Sequence, residues 1–225
     1  PPPLKTDMMQ ALTREELGAF ISSSKGREKA GVKIRVMDKA DIAQMAEWFA
    51  AAADRARRAG FDGVELHAAH SYIIAGFLSA YYNKRDDEYG GPLENRARML
   101  LEVIAAVRAR VGADFPVWLR LDAEEIRTPG GITLEDAKAV ARMAEAAGPD
   151  IIDINFGCPV KKIAGRGAGS GMMRDVPLMV EMTRRIVQAV RKPVTVKTRL
   201  GWDEEAQNIE EIALRLQDVG IAALT

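Results

Sequence analysis

An α/β protein is predicted, built on a parallel sheet with helical crossovers, either open and doubly wound or closed into a barrel. Three observations predict it. Short segments that read as strands alternate with longer segments of helical period along most of the chain. Several of the helical segments have a capping residue in front and a glycine behind. One strand-helix-strand stretch also occurs twice. Gly60–His70 lines up with Gly148–Cys158, acid against acid and His70 against Cys158, and Pro116–Arg120 lines up with Pro193–Lys197.

In chain order, Thr13 and Glu16 form a capping box for a helix near residues 13–23, and Ser22–Gly26 reads as loop. Val32–Val36 alternates like a half-buried strand, and Asp38 caps a helix running through Ala43, Met45, Phe49 and Ala52 to Gly60. Gly63–His67 is a short strand. Pro92 starts and Gly112 stops a helix over 92–111, with Ala97, Leu100, Leu101, Ile104 and Val107 on one face. Val117–Leu121 is the next strand. Thr133 and Asp136 form a second capping box for a helix to Ala147, Gly148 ends it, and Asp150–Asn155 is the following strand. A helix over about 176–191, a strand Val194–Arg199, a helix over about 204–219 and a strand Ile221–Leu224 complete the pattern.

The composition agrees with a globular chain. Of 225 residues, 48% are hydrophobic and 28% charged, enough to build a sizeable core. Lysine and arginine total 32 and so do aspartate and glutamate, so no global field attracts nucleic acid or an anionic membrane. A single cysteine, Cys158, excludes an internal disulfide and favours a reducing compartment. No signal peptide and no uncharged apolar run of about 18 residues is found. A soluble, cytoplasmic protein with no membrane association is expected.

Parallel α/β folds place ligands at the carboxyl ends of their strands, and the polar residues of this chain collect there. The only two histidines, His67 and His70, lie three apart at the end of the first strand of the repeated unit, and Tyr72 follows. Paired with a tyrosine as proton donor they suit catalysis, while a lone histidine in such a place is more often structural. The neighbours Ala68, Ala69 and Ser71 offer no third ligand, so no metal is expected. Arg120 sits where Leu119 and Leu121 point the other way, and suits either an anionic ring or phosphate, or a rim ion pair with Asp122, Glu124 or Glu125. Gly157 and Pro159 hold Cys158 in a turn; Lys161, Lys162 and Arg166 favour its thiolate or its use as an acid, against the alternative of a buried small side chain. Gly165–Gly171 reads as a mobile glycine-rich loop without a P-loop or dinucleotide pattern. Between residues 156 and 200, Lys161, Lys162, Arg166, Arg174, Arg184, Arg185, Arg191, Lys192, Lys197 and Arg199 face only Asp175 and Glu181, a basic stretch that fits a phosphodiester partner or a solvated helix face. Aromatic interleaving is nearly absent, which argues against stacking on single strands.

Two family resemblances follow. Ala59–Tyr72, Phe77–Ser79, Asn83–Gly91 and Leu93–Arg98 resemble the old yellow enzyme family of flavin oxidoreductases, within residues about 10–147. That resemblance implies an FMN-containing TIM barrel in which His67 and His70 hydrogen-bond a substrate carbonyl, Tyr72 donates the proton and Arg120 contacts the flavin. From about Asp150, Ile152–Lys162, Gly167–Ser170, Arg174-Asp175, Val194–Trp202 and Ala222–Thr225 are similar to the tRNA-dihydrouridine synthases, also FMN-dependent TIM barrels. This second resemblance implies Cys158 as the acid that protonates uracil, Asn155 as a base or flavin contact, Lys197 as a flavin contact, and tRNA as a partner of the basic stretch 156–200. Together they imply a chimera or fragment of two such barrels. Residues 1–149 and 150–225 would form segments of one domain, a (β/α) TIM-barrel type fold of about six strands, incomplete or rearranged. FMN with NADH or NADPH as hydride donor is the expected cofactor. Three functions are carried forward: reduction of an activated C=C bond in a small enone-type substrate, reduction of uridine in tRNA, and a catalytically silent α/β scaffold.

Overall fold

A computed structural model describes residues 35–160, 164–165 and 167–225. The chain divides into a unit Pro1–Asp38, of which residues 35–38 are described, and a unit Lys39–Thr225. The expected helix at 13–23, its loop, and positions 32–34 of the first expected strand lie outside the described residues. Arg35 and Val36 are not in a strand.

The second unit alternates as the sequence predicts. Its elements are α1 (Lys39–Arg58), β1 (Val64–Ala68), α2 (Ile73–Leu78), α3 (Leu93–Val111), β2 (Val117–Leu121), α4 (Leu134–Ala147), β3 (Ile151–Asn155), a 3-10 turn (Gly169–Arg174), α5 (Val176–Val187), β4 (Val194–Lys197), α6 (Ile209–Asp218) and β5 (Ala223–Leu224). All four strand pairs are parallel, and the sheet order is β1-β2-β3-β4-β5. A doubly wound sheet reverses direction once and has a switch point; here each strand lies beside its successor, which is barrel winding. Of the two topologies the sequence left open, barrel winding is the one formed. The two copies of the repeat are therefore successive pairs, β1-β2 and β3-β4, of one continuous sheet, and β2 pairs with β3 across residue 150.

The sheet has one apolar face. Leu66, Leu119, Leu121, Ile152, Ile154 and Val196 lie on it, buried under Leu100, Ile104 and Val107 of α3, Val140 and Ala144 of α4, and Ile186 of α5. Each such side chain contributes about 1.5–3 kcal/mol by leaving water. Local signals set the helix limits. Thr133 accepts the Asp136 N–H and Asp136 accepts the Thr133 N–H, the reciprocal cap the sequence predicts. Arg108 of α3 donates to the Gly148 and Phe115 carbonyls and pairs with Asp150, pinning the amino ends of β2 and β3.

Some elements depart from expectation. The buried face of α1 is Ile42, Ala46, Ala50 and Ala53, with Ala43 and Ala52 exposed. Alanines surround this helix, so the period is legible but its phase is not. The helices expected at 176–191 and 204–219 are shorter, ending at Val187 and beginning at Ile209. Helix α2 is not signalled by any cap or periodicity. Gly165–Gly171, expected as a mobile loop, runs into the 3-10 turn with Ser170, Gly171, Met172 and Met173 buried. Here glycine serves close packing: at Gly169, with φ +55°, a Cβ would lie 2.6 Å from the Cys158 carbonyl oxygen.

Candidate active site

The polar face of the sheet builds the site. Because side chains alternate, Glu65 and His67 of β1, Arg120 of β2, Asp153 and Asn155 of β3, and Thr195 and Lys197 of β4 share the face opposite the core. In register, His67 stands beside Arg120, Arg120 beside Asp153, Asp153 beside Thr195, and Asn155 beside Lys197. Arg120 Nε donates to Asp153 Oδ2 at 2.8 Å and its Nη2 pairs with Glu65 at 2.6 Å, while Thr195 Oγ1 donates to Asp153 Oδ1 at 2.6 Å. The rim pairing of Arg120 with Asp122, Glu124 or Glu125 is not formed, because its partners are lateral, on β1 and β3. Burial pushes the Glu65 carboxyl above its ordinary range, against the pull of Arg120.

Past β1 the backbone turns through two consecutive left-handed residues, His70 (φ 61°) and Ser71 (φ 56°). Each is costly for a non-glycine residue, by about 1–2 kcal/mol. The turn is held by Asp122, whose Oδ2 accepts the His70 N–H at 2.7 Å, and by the start of α2 at Ile73. Burial pushes the Asp122 carboxyl up to about 7. The turn brings the His70 ring onto His67, with His70 Nδ1 3.1 Å from His67 Nε2, and Tyr72 packs against the His67 ring at 5.3 Å. On its other side His70 Nε2 meets the Asn155 amide nitrogen. Burial foremost, then nearby positive charge, holds both histidines below their ordinary pKa, so the pair is neutral at pH 7.

A cleft of about 390 Å³ opens here, within the range of small-molecule pockets. His70, Tyr72, Asp122, Asn155 and Cys158 line it, with Tyr82, Phe156, Ile126 and Met172 as apolar wall. Thus the structure brings three of the other expected site residues, Tyr72, Asn155 and Cys158, into one cleft lining with His70, and His67 is bonded to His70 outside that lining. Arg120 and Lys197 lie on the same sheet face but outside the cleft lining, Arg120 half-buried in its ion pairs and Lys197 exposed. Cys158 is half-buried, and its carbonyl accepts the Ser170 N–H. The cations proposed to tune its thiol, Lys161, Lys162 and Arg166, lie outside the described residues.

The basic stretch 156–200 does not form one surface among the described residues. Arg191 and Lys192 precede β4, at the amino end of the sheet, whereas Arg174 and Arg199 belong to the carboxyl end. Arg184 pairs with Glu181 and Arg185 with Glu135, Arg174 stacks over Trp202 at 4.1 Å, and Arg199 donates to the Gly157 carbonyl. Proximity in sequence became dispersal in space because helix α5 crosses from one end of the sheet to the other. Asp122 and Asp153 are site residues that sequence reasoning missed. Their signal was an acid placed on or just after a strand at the ligand end of the fold.

Barrel-wound sheets that collect their polar side chains at the carboxyl ends of the strands define the α/β-barrel class, and this chain follows that plan. Comparison with known proteins narrows the class: the chain belongs to the NADH:flavin oxidoreductase / NADH oxidase family, which it matches over residues 7–211. The match runs unbroken across residue 150, so a single family accounts for the residues on both sides of the boundary where a chimera of two was expected. The chain is similar to an NADPH dehydrogenase of Geobacillus sp. (strain WCH70), 44% identical over 124 residues, covering 55% of this chain and 36% of the relative. Among solved structures it resembles 2-naphthoyl-CoA reductase in complex with 2-naphthoyl-CoA (TM-score 0.68, 29% identity, 84% of this chain and 28% of the other). It also resembles morphinone reductase in complex with tetrahydroNAD (TM-score 0.59, 27% identity, 84% and 46%). The chain therefore spans between about a quarter and a half of the length of these proteins. No helix among the described residues is long and apolar enough to cross a membrane.

FMN, reduced by NADH or NADPH, is the cofactor that family membership implies. The described residues fit the flavin ring: the cleft offers an apolar wall of Phe156, Ile126 and Met172 for a flat heterocycle, and Asn155, whose amide keeps one N–H beyond the one directed at His70, as a polar edge. Lys197, exposed beside Asn155, adds a cation at that end of the sheet.

Proposed function

We propose that this chain forms the substrate side of an FMN-dependent oxidoreductase that reduces the activated C=C bond of a small enone-type compound. The observation that carries the reading is the neutral His67–His70 pair with Tyr72 packed against His67, where His70 and Tyr72 line the cleft. FMN supplies the hydride when bound, and Arg120, Asn155 and Lys197 are the residues that would hold it. A ring N–H of the histidine pair donates to the substrate carbonyl, withdrawing electron density from the conjugated double bond. Tyr72, whose side chain is exposed at the cleft mouth, delivers the proton to the carbon next to that carbonyl. The apolar wall keeps water from the reacting carbons and so favours the neutral organic substrate over solvent.

The test is consumption of NADPH by the FMN-loaded chain with 2-cyclohexenone under anaerobic conditions. Tyr72→Phe and His67→Ala are each expected to lower kcat/KM by about 10²–10⁴. Undiminished turnover in the double variant His67→Ala, His70→Ala would overturn the reading.

A second reading rests on Cys158, which lines the same cleft as Asn155. With the thiol as acid, the substrate is a uridine in tRNA and the product dihydrouridine. Cys158→Ala then abolishes dihydrouridine formation while leaving enone reduction intact. A folded protein that takes up no FMN and turns over neither substrate is the silent scaffold.

A further inference from the structure

The two histidines are linked to Asn155 by a chain of hydrogen bonds that has only one consistent direction. The Gly157 N–H can only donate, and it lies 3.2 Å from Asn155 Oδ1, so the oxygen of that amide faces Gly157 and the NH₂ group faces His70. The reversed amide would oppose two donors. An amide N–H directed at His70 Nε2 makes that nitrogen an acceptor. A neutral imidazole with an accepting Nε2 carries its proton on Nδ1. His70 Nδ1 is 3.1 Å from His67 Nε2, which must therefore accept, leaving the His67 proton on Nδ1 as well.

We infer that Asn155 is a positioning residue that sets the tautomers of the histidine pair, holding both rings in the Nδ1–H form by donating to His70 Nε2. Burial keeps both rings neutral, so each has a single proton to place. His70 spends its proton inside the pair. His67 Nδ1–H is then the one ring proton of the pair not used within the chain of bonds. The assignment stands on the hydrogen bonds of two neutral rings and on no assumption about turnover. Its consequence rests on the function proposed above: the enone oxygen is polarised by His67, and His70 acts by fixing the His67 ring and its proton. Asn155 in turn is fixed from behind by the turn after β3, where Gly157 supplies the N–H.

The chain contains only two histidines, so the assignment is directly measurable. A long-range ¹H–¹⁵N spectrum of the uniformly ¹⁵N-labelled chain, recorded at about pH 8 without flavin or substrate, reports the protonated nitrogen of each ring. The parent is expected to show pyrrole-like Nδ1 and pyridine-like Nε2 in both rings. Asn155→Asp keeps the shape and the Gly157 contact but presents an oxygen that can only accept, so both patterns should exchange, with pyrrole-like Nε2 in His70 and His67. An Nε2–H ring or averaged tautomers in the parent overturns the inference, and so does an unchanged pattern in folded Asn155→Asp. If Asn155→Asp does not fold, Asn155→Ala serves: with the amide donor gone, the Nε2–H form must appear in His70, and its failure to appear also overturns the inference. Because no turnover is read, failure here is distinct from failure of the enone reading, which the NADPH assay decides.

Discussion

Asp122 is an acid with two duties. It accepts the N–H of a residue in a left-handed conformation, and it lines the cleft. Its carboxyl is raised by burial from 3.8 to about 7, with Glu125 adding to the rise and the His70 N–H opposing it. An acid raised by folding binds more proton in the folded than in the unfolded chain between those two values. Stability therefore falls as pH rises from about 4 to about 7, and the loss is complete above that window. The interval corresponds to at most about 4 kcal/mol. Asp122→Asn keeps an oxygen for the His70 N–H and never ionises. Thermal melts at about pH 5 and pH 8 should therefore show a larger loss of stability for the parent than for the variant. Equal losses would show that the carboxylate is solvated. Proximity of Asp122 to Arg120 in the sequence suggested an ion pair instead. The structure separates them because Asp122, one residue past the end of β2, is taken up by the His70 N–H, while Arg120 finds its partners on neighbouring strands.

Among the elements, the 3-10 turn Gly169–Arg174 connects the fold to the cleft. Gly169 permits the backbone to approach the Cys158 carbonyl, and the Ser170 N–H then ties the two segments together. Gly169→Ala forces a Cβ into that approach at a positive φ and should cost about 2 kcal/mol. Urea unfolding measures the cost. The same variant should be labelled faster at Cys158 by a thiol reagent, and an unchanged labelling rate would mean the turn does not shield the thiol. The glycines were visible in the sequence, but their purpose was not: a glycine-rich run reads equally well as mobility or as close packing, and only the partner backbone distinguishes them. Strand β2, the caps of α3 and α4 and the placement of His67, His70 and Tyr72 at a strand end were legible, because each is written in residues adjacent along the chain.

For the molecule as a whole, the lateral row Glu65, Arg120, Asp153 and Thr195 ties four successive strands together on the face opposite the core. Asp153 is buried, and Arg120 is the cation paired with it. Arg120→Met should destabilise the chain by about 3–5 kcal/mol by leaving carboxylates without their cation. Lys197→Met, at an exposed position of the same face, should change stability by less than about 0.5 kcal/mol. Equal effects in chemical denaturation would remove Arg120 from the network. Alternation of strand and helix, the apolar face of each strand, the helix stops and the polar residues at strand ends are dictated by periods of two and 3.6 residues, which any stretch of chain displays by itself. The choice of barrel winding over double winding, the meeting of Asn155 with His70 across 85 residues, the coupling of Arg120 to Glu65 and Asp153, and the dispersal of the basic stretch arise only when distant strands pair. Local periodicity specifies which way a side chain faces, and hydrogen bonding between strands specifies what it faces.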